Sequence, residues 1–175
     1  MSAKHKILNA AASVVDRAGA AHLTIDAVAA EAELSKGGVL YHFPTKRALL
    51  EGMLQHVLDR TRERVACHRM TLQDEPNATV RALIMSEQEQ DEPERAMALA
   101  LLAAAAEDPS LMEPARAQVA EWFTTVGDEG ASGVLLLLAT EGMRFLTMLN
   151  LLPMGPGERA DMRQTLLRVA EEGQL

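Results

Sequence analysis

Apolar positions recur at helical spacing almost from the start of the chain. Ile7, Leu8, Ala11, Val14 and Val15 share one face of a segment over residues 4–18, and Gly19 follows as a stop. Thr24 then precedes Ile25, Val28, Ala29 and Ala32, which predicts a short helix over 25–32 with Thr24 as its N-cap. After a turn around Glu33 and Leu34, Ser35 caps a second short helix over 36–43, which Pro44 prevents from continuing. Thr45 opens a long helix from about Lys46 to Met70, with a stripe of Leu49, Leu50, Met53, Leu54, Val57 and Leu58. Helical spacing resumes at Val80, Leu83 and Ile84. The run SEQEQDEPER (residues 86–95) holds five acids and a proline, and reads as a solvated helix end and loop. Residues 96–106 are nearly all apolar, which predicts a helix buried on most sides. Further helices are expected over 109–126, 134–152 and 159–172, with a break at GDEGASG (residues 127–133). The expectation is an all-α fold of about nine helices. A small N-terminal bundle over residues 1–48 is followed by a larger helical domain over 49–175.

Composition agrees with this pattern. Ala, Leu and Met are abundant, β-branched residues are sparse and aromatics make up only 3%. A single cysteine, Cys67, excludes an intramolecular disulfide and any multi-cysteine zinc site, and is expected to be a buried, inert thiol. The most apolar stretch, residues 134–152, is interrupted by Glu141 and Arg144 and is too polar for a membrane span. No export signal opens the chain, so a cytoplasmic protein is expected. Glu141 and Arg144 stand three apart, as an intrahelical pair would. Enzyme fingerprints are missing: there is no GxxxxGK[ST], GxSxG, HExxH or dinucleotide motif. The acidic run lacks the spacing of a calcium loop, and neither a cofactor nor a metal site is expected.

Net charge is −8, which by itself argues against a polyanionic partner. Its distribution reverses that. Residues 1–50 hold six Lys and Arg against four acids, whereas the rest holds eleven against twenty-one. The basic end coincides with the two short capped helices, a helix-turn-helix pattern. Gly37 and Gly38 sit in the first turn of the second helix, where each costs about 1 kcal/mol relative to Ala. Bare backbone there permits close approach to another surface, such as the floor of a major groove. Val39 and Phe43 anchor the opposite face to Ile25 and Val28. Ser35, Lys36, Gly37, Gly38, Leu40, Tyr41 and His42 are left pointing outward. Tyr41, His42, Lys46 and the amides opened by Thr45 offer a hydroxyl, an imidazole, an ammonium and a helix N-terminus to phosphate.

These residues resemble the DNA-binding domain of the TetR family of bacterial transcriptional regulators. The family pattern is a Thr-capped helix, then Ser-Lys-Gly, an aromatic pair followed by His-Phe, and a Lys that starts the fourth helix. It is met by Thr24, Ser35, Lys36, Gly37, Tyr41, His42, Phe43 and Lys46, over roughly residues 4–55. Gly38 stands where the family usually carries Thr or a similar residue, and Leu40 replaces the first aromatic. Readout is therefore expected to lean on Ser35, Lys36, backbone approach and DNA shape.

The resemblance implies a homodimer joined through its last two helices. Leu135, Leu138, Gly142, Phe145 and Leu149 from one, with Met162, Leu166 and Val169 from the other, are the candidate interface. It implies a palindromic double-stranded operator and repression relieved by a small hydrophobic molecule in the C-terminal bundle. Candidate lining residues are Met97, Leu101, Met112, Trp122, Phe123, Met143 and Met148, in a chain whose ten methionines make an adaptable apolar lining. Two rival readings are a ligand-independent regulator with a filled core, and a helical scaffold protein that no longer binds DNA.

Overall fold

The computed structural model describes residues 2–73 and 75–173. Among them are nine α-helices and no strand: α1 (Ala3–Ala18), α2 (Ile25–Glu31), α3 (Lys36–His42), α4 (Lys46–Leu72), α5 (Ala78–Glu87), α6 (Glu92–Glu107), α7 (Glu113–Glu129), α8 (Ala131–Met148) and α9 (Pro156–Glu172). Short 3-10 turns at Ala20–His22 and Pro109–Met112 complete the set. No helix among the described residues is long and apolar enough to cross a membrane. The chain forms two compact units, Met1–Asp59 with Asp91–Arg116, and Arg60–Gln90 with Ala117–Leu175.

The first unit is built on α1, which packs on both α2 and α6. Its core joins Ile7, Ala11, Val14, Leu23, Val28, Val39, Phe43, Leu49 and Met53 to Met97, Ala100 and Leu101 of α6. Two expectations change at α6. The helix begins four residues before Ala96, inside the acidic run, because Asp91 accepts a hydrogen bond from the Glu94 backbone N–H (2.9 Å) and Pro93 suits a first turn. Glu94, read as part of a solvated segment, is 1% exposed. The helix is also not buried on most sides. Ala96, Met97, Ala100 and Leu101 face the core, whereas Leu99, Ala103 and Ala106 are exposed. Alanine is the best helix former, so it fills outward positions here as well as inward ones.

The second unit centres on α5, buried along nearly its whole length and packed on α8 and α9. Val80, Leu83 and Ile84 meet Val126, Leu136, Leu137 and Ala170 in one core. Several of its polar groups are paired across elements. The buried Arg81 guanidinium meets Glu75 at 2.5 Å and Glu171 at 2.9 Å. The Glu129 carboxylate accepts from the Thr79 N–H (3.0 Å) and hydroxyl, an anion placed at the N-terminus of α5. Glu129 lies within the predicted break at residues 127–133, but α7 runs through it and the chain turns only at Gly130, whose φ is 140°. Gly133 then lets α8 approach α7, since a Cβ there would stand 2.9 Å from Val126 Cγ1.

Cys67 is exposed, contrary to expectation. The second half of α4 buries Val65 and Leu72, at helical spacing, and Cys67 lies two residues from Val65 on another side of the helix. The Arg144 Nε donates to Glu141 Oε2 at 3.0 Å, the intrahelical pair that the spacing predicts.

Candidate nucleic-acid interface

Three side-chain caps fix the helices of the basic end. Thr24 Oγ1 accepts from the Ala27 N–H (3.1 Å), Ser35 Oγ from the Gly38 N–H (3.0 Å) and Thr45 Oγ1 from the Ala48 N–H (3.0 Å). Each satisfies an amide that the first turn of a helix leaves open. Between α2 and α3 the backbone closes through Leu34 N–H to Ala29 O (2.9 Å) and Glu33 N–H to Ala30 O (3.2 Å). Glu33 carries the left-handed conformation this turn requires, with φ at 51°.

That turn sets α3 with one face inward and one outward. Val39 and Phe43 are buried against Val28. Phe43 is locked from outside by α4, where Gly52 approaches so closely that a Cβ would lie 2.4 Å from the ring. Ser35, Lys36, Gly37 and His42 are exposed, Gly38 and Leu40 are half-buried, and Tyr41 is 84% exposed with its ring edge-to-face on His42. The two glycines differ. A Cβ at Gly38 would meet the Ser35 hydroxyl at 3.3 Å, so the cap itself disfavours a side chain there. At Gly37 the nearest atom would be 3.9 Å away, and nothing within the chain requires glycine.

The cations of this end are mostly matched by carboxylates. Lys36 Nζ lies 3.0 Å from Asp26, Arg17 2.6 Å from Glu31 and Lys6 3.8 Å from Glu33. Lys4 stands over the Phe43 ring at 5.9 Å. Lys46 carries no ion pair among the described residues. Its neighbour Arg47 pairs with Glu51 (2.9 Å) and Asp108 and donates to Ser110 (3.1 Å), tying the start of α4 to the turn after α6. The Ser110 hydroxyl, then the Arg47 charge, hold the Asp108 carboxyl below its ordinary range, against an opposing effect of partial burial. The link leaves no local signal in the sequence, because Arg47 and Asp108 are far apart along the chain.

Residues 7–53 match the model described as bacterial regulatory proteins, tetR family, and residues 76–171 match the tetracyclin repressor-like C-terminal domain. The chain belongs to the TetR family. Among curated relatives, the HTH-type transcriptional regulator BetI of Burkholderia thailandensis is 34% identical over 79 residues, 45% of this chain and 40% of that protein. The match thus spans about two fifths of the length of the curated relatives. A member of the TetR family from Streptomyces coelicolor A3 is 26% identical with a TM-score of 0.68, covering 97% of this chain and 99% of the other. The multidrug binding protein EbrR, complexed with ethidium, is 28% identical with a TM-score of 0.59, covering 96% and 98%.

In this TetR-family chain, the residues expected to join subunits form an apolar surface. Leu135 (59%), Leu138, Phe145, Leu149 and Met162 are exposed large hydrophobics, and Gly142 is exposed with nothing within 4 Å of a Cβ. Leu166 and Val169 are half-buried against the second core. Leu146, Met154 and Met162 help line a groove of about 290 Å³ along this face. The residues expected to line a ligand pocket are not gathered in one core. Met97 and Leu101 are buried against α1 in the first unit, whereas Trp122 and Phe123 pack against the core of the second. Met143 is buried, and Met112 and Met148 are half-buried.

Proposed function

We propose that the chain is a homodimeric, DNA-binding transcriptional repressor that reads a palindromic operator through α3. One observation carries this reading: α3 is anchored by Val39 and Phe43 and turns outward a face of Ser35, Lys36, Gly37, Tyr41 and His42. The bare Gly37 supports it, since the chain itself does not use the missing side chain. Tyr41, His42, Lys46 and the Thr45-capped amides are the phosphate partners in this reading, and Thr24 with the α2 N-terminus flanks them. Gly38 leaves the helix backbone close to the groove floor.

One short helix reads too few bases, so a two-fold pair is needed, with half-sites about 34–36 Å apart. The exposed Leu135, Leu138 and Phe145 of α8 and Met162 of α9 supply the self-complementary surface. The effector is a small apolar molecule held in the C-terminal bundle. Trp122, Phe123 and Met148 remain its candidate contacts, while Met97 and Leu101 serve the core around α1. The ethidium complex of EbrR supports an aromatic effector. Such a molecule works only through different affinities for the DNA-competent and incompetent states, a coupling of about 1–3 kcal/mol.

Selection of duplexes from a random pool tests the reading. Recovery of an inverted repeat with half-sites one helical turn apart is the expected result; recovery of unrelated sequences would return the scaffold reading.

A further inference from the structure

The first unit contains a cleft that the helix-turn-helix motif does not use. It measures about 480 Å³ and opens between the 3-10 turn after α1, the start of α4 and the last turns of α6. Its floor is apolar: Leu23, Leu50, Ala100 and Leu111 are all buried. Alanines at positions 103 and 104 form one wall, and side chains that small leave the space open. Charge is confined to the rim. Arg47 and Asp108 pair with each other there, which leaves Lys46 and Glu107. Both are exposed, and neither carries an ion pair among the described residues. They also stand at opposite helix poles. Lys46 is the first residue of α4, where open amides add partial positive charge, and Glu107 is the last of α6, where open carbonyls add partial negative charge.

We propose that this cleft binds a small α-amino acid with a branched aliphatic side chain, and that the bound molecule withdraws Lys46 from DNA; the second half rests on the DNA-binding reading above. The rim holds a cation and an anion without partners, and the floor is apolar. A fitting molecule therefore carries both charges at one end and hydrocarbon at the other. A carboxylate alone would meet Lys46 but would also face Glu107, and an ammonium alone would have the converse fault. An amino acid offers its carboxylate to Lys46 and its ammonium to Glu107, while its side chain covers Leu23, Leu50 and Leu111. The volume lies within the ordinary range of small-ligand sites, about 300–1,000 Å³. No aromatic side chain is among the described lining residues, which favours an aliphatic body over a planar one. All of the lining belongs to the first unit, so the site is distinct from the C-terminal bundle. Amino acid and duplex then compete for one ammonium. Each occupied subunit gives up one phosphate contact, and affinity for DNA falls as the amino acid accumulates.

Isothermal titration calorimetry on the full chain, without DNA, tests the site with L-leucine as the probe. L-leucine is expected to bind. 4-Methylpentanoate, 3-methylbutylamine and 6-aminohexanoate should each bind at least about tenfold more weakly, since each lacks one charge or carries the two at opposite ends. Glu107→Gln should weaken L-leucine by a similar factor, and Ala103→Leu, which fills the cleft from an exposed helical position, should abolish its binding. Both variants should bind a duplex selected from a random pool as the unsubstituted protein does. Fluorescence anisotropy on that duplex across a range of salt then tests the competition, with glycine at equal concentration as the control. Saturating L-leucine should make the log–log salt slope shallower by about 1.8, one contact of about 0.9 from each subunit, and should leave the slope of Lys46→Ala unchanged. No binding of L-leucine, equal binding of 4-methylpentanoate, or undiminished binding by Ala103→Leu would overturn the site. Bound L-leucine that leaves the slope of the unsubstituted protein unchanged would overturn the competition for Lys46. Failure of that protein to select any duplex would overturn the DNA-binding reading instead, and the calorimetry would still decide the site.

Discussion

Gly52→Ala sets two effects of opposite sign against each other. In the interior of α4, replacing glycine by alanine should stabilise by about 1 kcal/mol through helix propensity alone. The new Cβ would stand 2.4 Å from Phe43 Cε1, 3.2 Å from Cζ and 3.3 Å from Cδ1. Carbon atoms in good contact sit about 3.5–4.0 Å apart, so the ring has to retreat by about 1 Å. Phe43 is only 3% exposed and packed within the first core, so that retreat displaces neighbours. Overpacking of this kind costs about 1–3 kcal/mol, which leaves a net loss of about 1 kcal/mol. For a chain of this size the melting temperature should fall by about 2–4 °C in a thermal scan followed by circular dichroism. The sign should reverse when the ring is shortened: in a Phe43→Leu background, Gly52→Ala should be neutral or stabilising. A higher melting temperature for Gly52→Ala in the unsubstituted background would refute the packing argument and leave propensity in charge.

Three other outcomes follow from the same geometry. Gly37→Ala has open space around its Cβ, so it should raise thermal stability by up to about 1 kcal/mol while weakening duplex binding in an anisotropy titration; unchanged binding would show that α3 does not approach DNA closely there. Leu138→Glu combined with Phe145→Glu places charge on an exposed apolar face and should shift the protein from dimer to monomer in analytical ultracentrifugation, with helix content kept. The folded-state pKa of Asp108 is lowered, so the stability it contributes is complete above the ordinary carboxylate range and is lost as pH falls through its folded value. Urea unfolding of the unsubstituted chain and of Asp108→Asn should therefore differ near neutral pH, and that difference should shrink in acid below pH of about 4.

What the sequence reveals follows how far apart the interacting residues lie. The caps at Thr24, Ser35 and Thr45 act on amides three residues away, so local residue types predict them, and the structure has all three. The inward pair Val39 and Phe43 is equally local, set by helical period within α3. Features that depend on distant chain were not legible. Glu129 caps α5 from fifty residues downstream, and Asn77 donates to the Ala170 carbonyl at 2.9 Å. The tie between Arg47, Asp108 and Ser110 belongs to the same class. The packing of α6 on α1 was hidden because an alanine-rich helix gives almost no contrast between its faces. Glu94 was misread because an acidic run looks solvated, although burial is decided by the elements that fold over it. Gly52 carried no signal beyond its type: only the nearness of Phe43 explains it.

The central claim is that α3 and the start of α4 bind duplex DNA as a symmetric pair. The most direct measurement is the stoichiometry and salt dependence of binding to a selected inverted repeat, by anisotropy titration, with Lys46→Ala in parallel. The account predicts two chains per duplex, affinity that falls steeply with salt, and a log–log slope for Lys46→Ala that is shallower by about 1.8, one phosphate contact of about 0.9 from each subunit. Binding with one chain per duplex, or a slope that Lys46→Ala leaves unchanged, would contradict it.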